Sequence, residues 1–211
     1  MLKIVVADDQ PLIRKGLKQI LTESIYVKRV DEADNGAVLL DLLRKETYDV
    51  VVLDISMPGR DGLDLLKDIK VLHPEMPVLM LSIQPEEQYA MRAFRAGASG
   101  CLNKSSAPEE LIEAIRQVSS GHTYISRAAG AVLIEDVRGG GAEELPHQTL
   151  SDREYQVFLL LASGTTIGEI SRRLSLSVKT VSTYRMRLLE KMGMKNNAQI
   201  THYAFLHRLI S

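Results

Sequence analysis

Three carboxylates, one hydroxyl and one amine stand at the same kind of place in this chain, the end of a short apolar run. Asp8 and Asp9 follow Ile4-Val5-Val6-Ala7, Asp54 closes Val50-Val51-Val52-Leu53, Ser82 follows Leu79-Met80-Leu81, and Lys104 comes just after Cys101-Leu102. Three carboxylates brought to one point repel one another unless a cation sits among them, and all-oxygen ligation completed by water suits Mg²⁺. An anion beside that metal would draw on Lys104 for charge and on Ser82 for a hydrogen bond. Such a set suits phosphoryl transfer, in which positioning and charge neutralisation supply most of the catalysis. Taken singly, each residue has an ordinary explanation. Asp8 and Asp9 could be turn residues, Asp54 a cap before Pro58-Gly59, and Lys104 a solvated surface charge. Their joint placement on the ends of four strands is what chance does not supply.

The elements that must position them follow from periodicity. Residues 2–7, 27–33, 49–54, 77–81 and 99–102 read as strands, and helical spacing occupies 12–22, 37–45, 63–72, 86–96 and a segment opened by Pro108. Strand and helix alternate, which predicts a parallel sheet between helices, and the runs Ile4-Val5-Val6 and Val50–Leu53 are apolar throughout, as for strands buried on both faces. In such a sheet all strand C-termini open onto one edge, where ligands bind. The 211 residues, 45% hydrophobic and 25% charged, are ordinary for a globular protein and exclude disordered, collagen-like and disulfide-scaffold classes. The single Cys101 cannot bridge within the chain and reads as a small buried hydrophobe. No apolar run approaches a membrane span and the N-terminus does not read as a signal peptide, so a cytoplasmic location and no membrane contact are expected.

The formal charge of −1 conceals an asymmetry. Residues 1–147 carry 17 Lys and Arg against 23 Asp and Glu, whereas residues 148–211 carry 9 against 4. An acidic body joined to a basic tail points to contact between the tail and a polyanion or membrane. Residues 121–147 include Gly139-Gly140-Gly141 and Pro146 and read as a flexible linker, with a helical stretch over 127–137. Beyond it four helices are expected, near 151–163, 167–174, 178–192 and 196–208. Ser151 with Glu154 and Thr166 with Glu169 have capping-box spacing, and Ser177 precedes the third helix.

Residues 1–120 resemble a response-regulator receiver domain of two-component signalling. The resemblance rests on Asp8-Asp9-Gln10-Pro11, Leu53-Asp54-Ile55-Ser56-Met57-Pro58-Gly59 with Asp61-Gly62, Leu81-Ser82 and the run from Ala96 to Lys104. It implies a five-stranded, doubly wound, flavodoxin-like fold in which Asp54 accepts a phosphoryl group from a phosphohistidine on a sensor histidine kinase. It further implies that Asp9, Asp54 and the backbone carbonyl of Ser56 ligate Mg²⁺, with Asp8 helping through water. Ser82 would hydrogen-bond the phosphoryl group and Lys104 would pair with it. Such a receiver promotes its own phosphorylation and dephosphorylation and is not otherwise an enzyme. Two positions depart from the pattern. Cys101 stands where a switch aromatic is common, so coupling to the far face must use backbone and loop shifts. Ser105 stands where many receivers have proline, and a non-proline cis bond costs several kcal/mol.

On the helix expected over 178–192, Leu188, Leu189 and Met192 fall within about 80° of Val181 and form the buried stripe. Lys179, Ser182, Thr183 and Met186 lie on the opposite side, and Arg187 lies near 240°. This helix follows a shorter one across the turn Ser175-Leu176-Ser177, the arrangement of a DNA recognition helix. Residues 148–211 resemble a LuxR-type helix-turn-helix through Leu150–Glu154, Leu161–Gly164, Glu169–Leu174, Ser177–Ser182 and Leu189–Gly193. Together the two halves resemble the NarL/FixJ response regulators. By that resemblance Lys179, Ser182, Thr183 and Met186 face the major groove of promoter DNA, while Thr166, Ser177 and Arg187 lie near phosphates. It also implies a homodimer on DNA and admits RNA polymerase as a partner. Ile167-Gly168 replaces a polar-basic pair frequent in the motif. Arg185 occupies a position that is usually apolar, and it either snorkels to the DNA backbone or pairs with an acid such as Glu169.

The reading is a DNA-binding transcription factor controlled by phosphorylation of Asp54. Its rivals are a receiver acting only as a docking module, and an Mg²⁺-dependent phosphatase. The latter would need a carboxylate two residues after Asp54, where Ser56 stands.

Overall fold

A computed structural model describes residues 1–57, 61–83, 85–138, 145–207 and 209–210. The chain divides into two units, Met1–Gly139 and Gly140–Ser211. In the first, strands β1 (Leu2–Ala7), β2 (Val27–Ala33), β3 (Val50–Asp54), β4 (Val78–Ser82) and β5 (Gly100–Asn103) alternate with helices α1 (Pro11–Thr22), α2 (Gly36–Lys45), α3 (Gly62–Leu72), α4 (Glu86–Arg95) and α5 (Pro108–Ser119). All strand pairs are parallel, in the order β2-β1-β3-β4-β5. This is the expected flavodoxin-like sheet.

Every residue of β3 and β4 is buried. Covered on both faces, these strands could not alternate polar with apolar residues, which is why their sequences are continuous apolar runs. Ile4, Val6, Val50, Val52 and Leu79 meet Leu21, Leu111, Ile115 and Val118 in one core. The strand order reverses between β1 and β3, so a crevice opens there between their C-terminal ends. Asp8-Asp9 and Asp54 stand at its mouth.

Gly62, the first residue of α3, passes directly against the end of β3. A Cβ at this position would lie 2.2 Å from the Asp54 carbonyl oxygen and 2.7 Å from the Ile55 Cα. Backbone on both sides leaves nothing flexible to yield. Gly62→Ala is expected to destabilise the first unit by about 3 kcal/mol or more, measurable by urea unfolding.

The expectation of a linker over 121–147 is corrected for 121–138. Gly121 turns the chain with φ 81°, and Tyr124 then pairs with Gly100 in a parallel bridge beside β5. The Tyr124 amide donates to the Ser99 carbonyl at 2.8 Å and its hydroxyl to Glu110 Oε1 at 2.8 Å. The chain continues as α6 (Arg127–Arg138), packed against α4. The helix foreseen over 127–137 is present, but it belongs to the first unit, because Tyr124 is buried against the sheet. Gly139-Gly140-Gly141 and Pro58-Gly59 lie outside the described residues.

Among its described residues the second unit has a 3-10 helix at Pro146–Thr149 and four α-helices, α7 (Asp152–Ala162), α8 (Ile167–Arg173), α9 (Val178–Lys191) and α10 (Asn197–Leu206). Both foreseen capping boxes form, on Ser151 and Thr166, and the Ser177 side chain accepts from the Thr180 amide. Helix α7 is buried from Arg153 to Ala162, and α9 and α10 pack on it. Lys191 Nζ reaches Glu154 Oε2 at 2.7 Å and so ties the end of α9 to the start of α7.

Candidate functional site

The five residues singled out from the sequence converge at the C-terminal edge of the sheet. One carboxylate oxygen from each of Asp8, Asp9 and Asp54 lies within 4.8 Å of the others. Asp8 and Asp54 are buried, as is Ser82, the last residue of β4. The Lys104 side chain is only 4% exposed, and its Nζ lies 2.6 Å from Asp8 Oδ2 and 2.9 Å from Asp54 Oδ2. The Lys104 amide donates to the Ser82 carbonyl at 2.7 Å, which joins the β4 and β5 ends. The Ser56 amide turns back to donate to Asp54 Oδ1 at 3.0 Å.

Asp8 is held by its neighbours. Its Oδ1 accepts from the Gln10 amide at 2.8 Å, and its carbonyl accepts from Arg14 at 2.7 Å. Arg14 in turn pairs with Glu32 at 3.3 Å, at the end of β2. The acidic loop is therefore braced before any ligand arrives.

The electrostatics point to a cation. Burial, opposed by Lys104 and reinforced by Asp8, pushes the Asp54 carboxyl up to about 6. Burial and then the Asp8 charge raise Asp9 as well. Asp9 Oδ1 is buried without a hydrogen-bond partner, and Asp8 Oδ2 and Asp54 Oδ2 share the single Lys104 ammonium between them. Three clustered carboxylates with one ammonium among them keep surplus negative charge and free lone pairs, the ligand set of a hard divalent cation. The residues present fit Mg²⁺.

Cys101 is wholly buried and its thiol is pushed up to about 12, chiefly by burial, so it is an inert hydrophobe as expected. Among the described residues no peptide bond is cis.

In the second unit α8 and α9 are joined by a turn in which Ser175 adopts φ 51°. Val181, Leu188, Leu189 and Met192 are buried, the stripe foreseen, while Lys179, Ser182, Met186 and Arg187 are exposed and Thr183 is half-buried. The hydroxyls of Ser182 and Thr183 donate to the carbonyls of Val178 and Lys179, and those of Thr166 and Ser177 serve as helix caps. Arg185 does not pair with Glu169. Its Nε donates to Asn197 Oδ1 at 2.7 Å, bracing α9 against the start of α10, while Glu169 is engaged by Thr166. That partner was hidden because only the turn of the chain between α9 and α10 brings the two residues together.

A parallel sheet with this acidic crevice, followed by a helix-turn-helix unit, defines a response regulator with a DNA-binding output domain. Known families agree, since residues 4–116 match the response regulator receiver domain and residues 148–204 match the bacterial regulatory proteins of the luxR family. The chain is 35% identical over 210 residues to the response regulator UvrY of Escherichia coli K12, covering 99% of this chain and 96% of that protein. It is 33% identical to the response regulator GacA of Pseudomonas aeruginosa, with coverages of 100% and 98%. A solved structure of RcsB from Salmonella enterica serovar Typhimurium, bound to promoter rprA in the presence of phosphomimetic BeF3⁻, is similar with a TM-score of 0.65. It is 26% identical, over 96% of this chain and 97% of that one. The chain belongs to the NarL/FixJ response regulators, two-component DNA-binding transcription factors. No helix among the described residues is long and apolar enough to cross a membrane.

Proposed function

We propose that Asp54 is the phospho-acceptor of this regulator, taking its phosphoryl group from a sensor histidine kinase, and that the second unit then binds promoter DNA as a homodimer in the cytoplasm. The observation that carries this reading is the buried triad Asp8, Asp9 and Asp54 with Lys104 set between two of its members. A carboxylate oxygen of Asp54 attacks the phosphorus of the phosphohistidine. A P–O bond forms, the P–N bond breaks, and the imidazole nitrogen leaves with the electron pair. Asp8, Asp9, Asp54 and the Ser56 carbonyl would hold Mg²⁺, which supplies charge neutralisation to the transferring group. Lys104 exchanges its pairing with Asp54 for one with the phosphoryl oxygens, and Ser82 offers its hydroxyl to them.

On the DNA side, Lys179, Ser182, Thr183 and Met186 face the major groove and Arg187 meets the backbone. At Thr166 and Ser177, whose hydroxyls already cap helices, the phosphate partners are the amides at the starts of α8 and α9. The RcsB structures bound to DNA, one of them with two dimers on two parallel DNAs, support DNA and dimer partners for this chain. RNA polymerase is a further partner of this reading.

The test uses DNA selected by the protein from a random library. A small phosphodonor with Mg²⁺ is expected to place one phosphoryl group on the full chain and to tighten DNA binding about tenfold, a coupling of ordinary size. Unchanged DNA binding by the phosphorylated chain would favour the docking-module alternative. Residues 140–211 alone, compared in the same titration, separate the routes: tighter binding than the unphosphorylated chain means that the receiver masks, and weaker binding than the phosphorylated chain means that it supplies dimerisation.

A further inference from the structure

Glu86, in the first turn of α4, is a buried carboxylate at 6% exposure whose described hydrogen bonds join three parts of the first unit. Its Oε1 accepts from the Asn103 amide at 3.0 Å, and its Oε2 accepts from the hydroxyl of Ser126, forty positions away. Asn103 directly precedes Lys104 and pairs in register with Ser82, so one arm of this carboxylate grips the strand ends that frame the acidic pocket. Ser126 is itself buried, and its Oγ accepts from the Ala129 amide at 3.1 Å, which caps the start of α6. The other arm therefore grips the last helix before the boundary at Gly139.

We propose that Glu86 is a positioning residue that links the state of the acidic pocket to the docking of α6, so that phosphoryl transfer to Asp54 loosens α6 from α4. The proposal rests on the reading of Asp54 as acceptor. Lys104 now lies between Asp8 and Asp54, and a phosphoryl group on Asp54 draws it to a new partner. The Asn103 amide, one residue away, shifts with it and leaves Glu86 Oε1 without its donor. A buried carboxylate is tolerated only while donors hold it, so Glu86 turns toward water and gives up Ser126. Helix α6 then loses the contact that orients its cap, and its twelve residues become free connection to the second unit. Cys101, wholly buried with no ring to rotate, leaves this route open to a carboxylate.

The test is hydrogen exchange of the amides over 128–134 in the full chain, before and after treatment with a small phosphodonor and Mg²⁺, with phosphoryl uptake followed by intact mass. Phosphorylation of the wild type is expected to speed exchange there about tenfold. Ser126→Ala removes a single hydroxyl, and Glu86→Gln is nearly isosteric. In both, exchange over 128–134 is expected to be fast before treatment and to change less than about twofold on phosphorylation, with phosphoryl uptake intact. A wild-type mass gain with unchanged exchange over 128–134 overturns the link and leaves the Asp54 reading standing. So does a Ser126→Ala chain that keeps the full tenfold response. A wild-type chain that takes up no phosphoryl group overturns both.

Discussion

Asp54→Asn is expected to abolish phosphoryl uptake and, in the same protein, to raise the stability of the first unit above pH 6. The first effect follows from chemistry, since an amide oxygen forms no stable acyl phosphate. The second follows from the raised carboxyl of Asp54, displaced to about 6 from an ordinary 3.8, mainly by burial. Between those values the folded protein holds a proton that the unfolded chain has released. The stabilising contribution of the protonated acid is therefore fully present below about pH 4 and is lost as pH rises to about 6. Above that the wild type carries the whole penalty, on the order of 2–3 kcal/mol. Asparagine is neutral throughout and escapes it, while Lys104 keeps its pairing with Asp8 at 2.6 Å. Thermal unfolding without divalent metal should show the variant melting several degrees above wild type at pH 7.5, with the two meeting only below about pH 4. Mg²⁺ at about one hundred times its Kd should recover roughly 2.7 kcal/mol for the wild type and much less for the variant. A variant less stable than wild type at pH 7.5 would sink the account of a strained carboxylate cluster, and phosphoryl uptake by it would remove Asp54 as acceptor.

The residues of that cluster were legible because their positions are set by local pattern. Strands covered on both faces must be apolar throughout, so Ile4-Val5-Val6 and Val50–Leu53 announced their ends, and the polar residues at those ends were the conspicuous ones. Helix starts were legible for the same reason, since Ser151 with Glu154 and Thr166 with Glu169 act within one turn. What escaped were contacts between residues distant in the chain. Nothing local to Tyr124 or Ser126 says that they lie against β5 and α4, and the nearby glycines suggested a linker where residues 121–138 in fact belong to the first unit. The Arg185 partner, Asn197, was equally invisible. Lys104 was foreseen as a partner for a phosphoryl group, and its pairing with Asp8 and Asp54 was not foreseen. Residues whose roles depend on a third party show two sets of partners, and a sequence motif reports only one.

The same distinction separates two cations on α9, Lys179 and Arg187, both exposed. Lys179 stands in the first turn on the face opposite Val181, where a side chain reaches base edges, and Lys179→Ala should weaken binding to the selected site by roughly 10- to 100-fold while relaxing preference at one base pair. Arg187 lies further round toward the flank, and Arg187→Ala should weaken selected and random DNA alike by about tenfold and lower the salt slope by about 1. Met186 is 62% exposed, and an apolar side chain there is suited to a thymine methyl. Its replacement by alanine should reduce preference for A·T at the contacted position without changing the salt slope. Titrations of selected and random duplexes over a series of salt concentrations read all three. If Lys179→Ala and Arg187→Ala give the same ratio of selected to random affinity, the assigned face of α9 is wrong, because only a base contact changes that ratio. Arg185, held by Asn197, supplies the internal comparison: its loss should lower the stability of the second unit and leave the salt slope where it was.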